Sequence, residues 1–312
     1  MSTRVVFLGT PDFAVPSLDA LVRLRDAGVI DLAGVVTQPD RPGHRGRITP
    51  PPVKERAVML GIPVWQPARL TREVADKIAA ERPVALVWAA YGNLIPRSLI
   101  DVVQGRAANV HASLLPRWRG AAPVQRAILA GDRETGITLM EGTAELDAGP
   151  ILAQERTPIG ASETAGELTT RLAGLGAALL ERELPRYLRG ELRARPQDTA
   201  RVTYAPKITS KDADLDFARA ADELARQVRG TAPQPGAFTT VRGRRIVVTK
   251  ASVAGGSPAA HGTLRVRDGT PHIASGAGWL RLDEVRPAGK KTMSGADWAR
   301  GLRNLDDSRI PS

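Results

Sequence analysis

Three residues offer this chain's most direct chemistry: Asn109 and His111, two positions apart in the run ANVHASLLPRWRGAAP, and Asp147 in the later turn AELDAGP. An amide donor, an imidazole and a carboxylate suffice to catalyse attack of an amine on a carbonyl. Asn109 and His111 are expected to donate to the oxygen as it gains negative charge, while Asp147 holds His111 in its donating form and helps move the proton from the amine to the leaving group. No metal and no covalent intermediate are required, and none is expected. Taken singly, each residue has an ordinary reading as well. A histidine at a strand end is often a satisfied core residue, and LDAG is a common turn sequence.

The elements that must position these residues are legible in the hydrophobic pattern. Arg4 to Leu8 reads as a short strand, with Asp12 as the cap of a helix carrying Phe13, Val15, Leu18, Leu21, Val22 and Leu24 at helical spacing. Leu32 to Val36, Ile62 to Trp65, Val84 to Ala89 and Ala107 to Val110 read as further strands, separated by helices at Val53 to Leu60 and Leu70 to Ala80. Strand–helix alternation predicts an open α/β sheet, partly or wholly parallel. Ligands bind such sheets beyond the carboxyl ends of the strands, where 9–11, 91–94 and 111–116 fall. Asn109 and His111, two apart on an extended segment, project the same way. The stretch TQPDRPGHRGRITPPP is too rich in Pro, Gly and Arg for a regular element and reads as a long loop. Helices are expected at 121–130 and 165–188, with a strand at 137–140. After residue 206 several short strands punctuated by Gly and Pro predict a small β-barrel, closed by a helix at 294–302.

Composition narrows the function classes. A chain of 312 residues with 42% hydrophobic and 25% charged residues is a folded protein, expected to form two domains. No apolar run reaches the roughly 20 residues that span a bilayer, and the N-terminus lacks the form of a secretory signal, so no membrane role and a cytoplasmic location are expected. The absence of cysteine removes disulfides, thiolate nucleophiles and cysteine zinc sites. Gly9-Thr10-Pro11 is neither a P-loop nor GxGxxG, and Ser113 lacks a nucleophile elbow. His261 and His272 have no neighbours at metal spacing. The net charge of +11 favours a polyanionic partner. The excess is greatest in residues 205–312, at +7, and in the loop that holds Arg41, Arg45 and Arg47.

The segments GTPDFAVP, VTQPDRPGHRGR, AAYGNLIP, NVHASLLPRWRGAAPVQRAI, TGITLM, LDAGPIL and RPAGKKTMSGADWARG together closely resemble the methionyl-tRNA formyltransferase family over nearly the whole chain. The NxHxSLLPxxRG core is shared by other 10-formyltetrahydrofolate enzymes. The GTPDFAVP start, the basic loop and PAGKKTMS narrow the resemblance to the tRNA enzymes. It implies a Rossmann-like formyltransferase domain over 1–189, a linker over 190–206 and an OB-like β-barrel domain over 207–312. It also implies 10-formyltetrahydrofolate as formyl donor and initiator methionyl-tRNA as acceptor; a monomer is expected. Asn109, His111 and Asp147 fall on the family's catalytic positions. Ser113, Leu114, Leu115 and Pro116 fall on its folate-binding stretch, with backbone of Tyr91, Gly92, Asn93 and Leu94 at the pterin. Phe13 matches the position near the methionyl side chain. Arg41, Arg45 and Arg47 match the loop that enters the acceptor stem, and Lys290 and Lys291 belong to the basic barrel expected to follow tRNA phosphates. The chain departs from the family at Met140-Glu141-Gly142-Thr143 and Gln234-Pro235-Gly236, neither of which includes a catalytic position.

Three other functions share parts of this pattern. A formyltransferase acting on an amino sugar nucleotide would use the same triad but has no need of a basic loop and barrel. A formyltetrahydrofolate hydrolase would replace the amine with water, and a non-catalytic RNA-binding protein would have no use for the triad.

Overall fold

A computed structural model describes residues 3–42, 48–301 and 308–310. The chain divides into two compact units, one of residues 1–123, 134–158 and 169–205, the other of 124–133, 159–168 and 206–312. In chain order the strands are β1 (Arg4–Gly9), β2 (Asp31–Val36), β3 (Arg41–Pro42), β4 (Ile48–Thr49), β5 (Val64–Trp65), β6 (Ala85–Ala89), β7 (Ala107–His111), β8 (Arg119–Gly120), β9 (Glu134–Glu141), β10 (Ile151–Pro158) and β11 (Tyr204–Ala205). Then follow β12 (Phe238–Val241), β13 (Arg244–Ala254), β14 (Thr263–Arg267), β15 (Thr270–Ala274), β16 (Trp279–Pro287), β17 (Met293–Ser294) and β18 (Ser308–Arg309). The helices are α1 (Val15–Asp26), α2 (Pro52–Met59), α3 (Arg72–Ala80), α4 (Arg97–Ile100), α5 (Pro123–Ala130), α6 (Ala165–Leu188), α7 (Ala221–Thr231) and α8 (Gly295–Arg300).

The first unit is built on a seven-stranded sheet in the order β10-β9-β7-β6-β1-β2-β5. The strands β5, β2, β1, β6 and β7 are parallel, whereas β9 and β10 run antiparallel at one edge. From β1 the chain builds outward through β2 to β5, then returns to place β6 and β7 on the other side of β1. The reversal between β1 and β6 is the topological switch point at which such sheets bind ligands. The two faces follow from period-two alternation. Val6, Leu8, Leu86, Trp88 and Ala107 join Ile78 of α3 and Leu99 of α4 in one buried cluster. On the opposite face, α6 passes so close to β7 that a Cβ on Gly176 would lie 2.8 Å from Val110 Cγ1. Val110 thus points at α6, leaving Asn109 and His111 on the other face.

The second unit holds an antiparallel sheet in the order β12-β13-β16-β15-β14-β18, with β17 on β16. The β-rich part, expected from the short punctuated strands, is a curled sheet. Its core joins Leu224 and Val228 of α7 to Ile246, Val248, Leu264, Ile273, Leu280, Leu282 and Trp298.

Several local expectations are corrected. Asp12 makes no side-chain cap; it opens a 3-10 turn that feeds α1, whose second residue is proline. The basic loop is not wholly irregular, because its ends pair as β3 and β4. The edge strand β10 has no counterpart in the sequence reading. Its residues Gln154 and Glu155 are polar and half-buried and Arg156 is exposed, so it lacks the apolar run that marks a buried strand.

Candidate active site

The residues Asn109 and His111 end β7, flanked by β6 on one side and β9 on the other, with Asn109 opposite Trp88 and Met140 and His111 opposite Thr138. Both side chains are buried, at 5% and 7% exposure. Asp147 reaches them because the chain leaving β9 turns back over the same face. A Cβ on Gly142 would lie 2.0 Å from the Trp88 ring and 2.9 Å from Ala107 Cβ, so only glycine lets the backbone pass this close. The turn that follows holds Asp147 at φ +48, in the left-handed region that aspartate tolerates better than most residues.

The three side chains meet. Asn109 Nδ2 donates to Asp147 Oδ1 at 3.3 Å, and His111 Nδ1 lies 3.6 Å from Asp147 Oδ2. Oδ2 also accepts the backbone N–H of Gly120 at 2.8 Å. On its far side the imidazole is set by Nε2, 2.9 Å from the carbonyl oxygen of Trp118. A carbonyl only accepts, so the hydrogen between the two sits on Nε2. The Trp118 carbonyl is aimed there by a sharp loop in which Trp118 itself has φ +64 and its N–H donates to Thr203 Oγ1 at 2.9 Å.

The loop 113–116 is held from beneath. Ser113 is fully buried and its hydroxyl donates to the Arg117 carbonyl at 2.6 Å, so this hydroxyl is engaged within the loop. Thr138 Oγ1 donates to Ser113 O and accepts from Leu115 N, and Gln154 Nε2 donates both to Leu115 O and to Thr138 Oγ1. On the neighbouring strand end, the Tyr91 carbonyl accepts from Thr10 Oγ1 at 2.8 Å, tying the loops after β1 and β6 together. The Tyr91 side chain belongs to the core, where burial pushes its phenol up to about 12 and keeps it neutral. Gly92, Asn93 and Leu94 are exposed beside it, Leu94 at 63%.

The remaining sequence candidates lie elsewhere. Phe13 is half-buried just past the end of β1. Arg41 is exposed in β3 with Nη2 3.1 Å from Gln38 Oε1, while Arg45 and Arg47 fall outside the described residues. Lys290 and Lys291 are exposed in the second unit, between β16 and β17. Among the described residues no group of three or more His, Cys, Asp or Glu is placed to hold a metal ion.

Sequence reasoning missed the supports. The stretch read as a linker contributes Thr203, β11 and Gln197 to this unit. β11 pairs in parallel with β8, and Arg119 N donates to Thr203 O at 2.9 Å. Gln197 Nε2 donates to the carbonyls of Asp147 and Gly149, each at 2.8 Å, and its Oε1 accepts two N–H groups of the buried Arg119 guanidinium. Arg119 and Gly120 could have been noticed within the PRWRGAAP run. Gln197 and Thr203 carried no signal, since nothing in a polar, aperiodic stretch says where it docks.

The Formyl transferase family matches residues 3–184, and the Formyl transferase C-terminal domain family matches residues 207–303. The methionyl-tRNA formyltransferase of Halorhodospira halophila is 48% identical over 306 residues, covering 97% of each chain. That of Bacillus subtilis is 41% identical over 305 residues, covering 96% of this chain and 95% of its own. The fold resembles the N-formyltransferase of Helicobacter canadensis, solved with folinic acid and dTDP-3-aminofucose, at a TM-score of 0.67 and 17% identity, over 93% of this chain and all of that one. It also resembles HypX of Aquifex aeolicus in complex with tetrahydrofolic acid, at a TM-score of 0.63 and 18% identity, over 98% of this chain but only 48% of that one. With both family domains matched in order and relatives aligned from end to end, the chain belongs to the methionyl-tRNA formyltransferase family.

Proposed function

We propose that this protein transfers the formyl group of 10-formyltetrahydrofolate to the α-amino group of initiator methionyl-tRNA, with Asn109, His111 and Asp147 as its catalytic residues. The observation that carries this reading is the meeting of those three side chains at the carboxyl end of β7, beside the switch point of the sheet, in a chain related end to end to enzymes of that name.

The folate supplies an electrophilic formyl carbon and a nitrogen that leaves it, taking up one proton. The site fits such a donor in its chemistry. Exposed backbone at 92–94 offers hydrogen-bonding groups to a heterocycle, residues 113–116 are assigned to the folate on the neighbouring strand end, and exposed Leu94 and Leu146 offer apolar surface. The Asn109 amide has two N–H groups, one directed at Asp147, the other a donor for the formyl oxygen as it gains charge. With Nε2 committed to the Trp118 carbonyl and Nδ1 facing Asp147, His111 is not free to donate to the formyl oxygen as the sequence reading expected; with Asp147 it takes the proton that the amine releases and passes it to the leaving nitrogen. The acceptor brings its own nucleophile, so the enzyme's contribution is orientation and charge stabilisation.

Phe13, at the end of β1, is assigned to the methionyl side chain. The cations Arg41, Arg45 and Arg47 are assigned to the acceptor stem, and Lys290 and Lys291 to backbone phosphate. Catalysis is assigned to residues 1–189 and tRNA backbone binding to 207–312, with 190–206 between them supporting the catalytic turn. The protein acts as a monomer in the cytoplasm; no helix among the described residues is long and apolar enough to cross a membrane.

The reading is tested by formyl transfer from 10-formyltetrahydrofolate to methionyl-tRNA, run beside an amino sugar nucleotide as rival acceptor. Formylation of the tRNA supports it, and transfer to the sugar with none to tRNA overturns it.

A further inference from the structure

Asp147 stands in an unfavourable conformation on a turn between two strands, and its carboxylate must meet three partners at once. A residue at φ +48 stays there only if its surroundings over-determine it. Two of the groups that do so are the carbonyls on either side of the bend, Asp147 O and Gly149 O. Both accept from a single amide, Gln197 Nε2, at 2.8 Å. The other end of that amide is fixed as firmly, because Oε1 accepts from Arg119 Nε at 3.0 Å and Nη2 at 2.8 Å. Arg119 is only 5% exposed, and the next residue, Gly120, donates its N–H to Asp147 Oδ2. Gln197 therefore joins the backbone of the turn to the strand that supplies one of the carboxylate's donors. Its neighbourhood is itself docked, by reciprocal Ile151–Arg195 backbone bonds of 2.7 and 2.9 Å.

We infer that Gln197 is a positioning residue for formyl transfer, clamping the Asp147 turn so that its carboxylate is held against Asn109 and His111. It touches neither substrate nor reacting atoms in this scheme. The inference rests on the function proposed above, since it assigns Gln197 a part in that reaction through Asp147.

The two halves of the amide can be separated. Gln197→Glu keeps an acceptor for Arg119 but has no N–H for the two carbonyls, whereas Gln197→Leu removes both. The experiment measures single-turnover formylation of methionyl-tRNA by the full-length protein, with KM for both substrates, in wild type, Q197E, Q197L, D147N and the D147N/Q197L double variant. Loss of an outer support that orients a reacting group costs roughly 10- to 100-fold. The expected result is a loss of that size in Q197E and Q197L alike, with KM values changed by less than about twofold. Because Gln197 acts through Asp147, Q197L should slow D147N by no more than about twofold. A general packing defect would instead multiply with D147N, and that result overturns the inference. So does a Q197E rate within about twofold of wild type, which also decides the matter if Q197L fails to fold. Wild-type protein inactive on methionyl-tRNA would remove the functional reading and this inference together. Active wild type with insensitive or multiplicative variants would remove this inference alone.

Discussion

The backbone N–H of Gly120 donates to Asp147 Oδ2 across 2.8 Å, and it does so from a conformation that favours glycine. Gly120 has φ +115, and a Cβ there would come within 3.0 Å of the Ala205 carbonyl oxygen. Gly120→Ala is therefore expected to cost about 1–3 kcal/mol of stability. It should also slow single-turnover formylation on the order of tenfold, by withdrawing one of the carboxylate's donors. Urea denaturation beside the rate assay checks both effects.

Substitution within the triad should act on the chemical step. His111→Ala and Asp147→Asn are each expected to lower the single-turnover rate by roughly a hundredfold or more, with little change in methionyl-tRNA affinity. Near wild-type rates in either variant would remove that residue from its assigned role.

Thr138 is a stability test. Its fully buried hydroxyl donates to Ser113 O at 2.7 Å and accepts from Leu115 N at 3.1 Å and Gln154 Nε2 at 2.9 Å. Thr138→Val preserves shape and removes the partner of Ser113 O and Leu115 N, while Gln154 Nε2 keeps its bond to Leu115 O, and the loss should cost about 1–3 kcal/mol. Equilibrium unfolding measures the loss, and a weaker affinity for a folate analogue should accompany it if the 113–116 loop shifts.

His272 links folding to pH. Burial pushes its pKa below the usual 6.5, outweighing the bond to the Thr270 carbonyl, which raises it; Arg267 and Arg281 lower it further, against Asp268. The unfolded chain then binds the proton first as pH falls, so stability is lost as pH drops below about 6.5 and regained above it. His272→Gln removes that contribution. The stability of wild type relative to H272Q should rise from pH 5.5 to 7.5 in urea titrations, and an unchanged difference would contradict the assignment.

The basic residues should reveal themselves through salt. Arg41→Leu, and Lys290→Gln with Lys291→Gln, are expected to weaken tRNA binding. Each should lower the slope of log affinity against log salt by about 1 for every phosphate that is no longer neutralised. Binding measured across a salt series would show an unaltered slope if these side chains do not meet phosphate.

Much of this protein follows from local sequence. The apolar runs of β1, β2, β6 and β7 are buried whatever surrounds them, and their alternation with helices dictates a parallel sheet whose carboxyl edge gathers Gly9, Ala89 and His111. The two-residue spacing of Asn109 and His111 places both on one face of a strand by pleat geometry alone. The Gly/Pro punctuation after residue 206 likewise identifies short antiparallel strands. What local pattern could not show was pairing that depends on a distant segment. β10 is half-exposed and polar, and residues 195–205 have no periodicity, so neither announces a partner.

Tertiary structure alone decided how the triad is held. That Asp147 bends at φ +48, that Gly142 lets the chain cross Trp88, and that Gln197 and Thr203 return from a seemingly free stretch to fix the turn and the Trp118 carbonyl are all consequences of docking. Residue type determines which groups can donate, accept or ionise. Whether they meet at about 3 Å depends on backbone paths set by packing and by hydrogen bonds between segments far apart in the chain, and those leave no periodic trace in either segment.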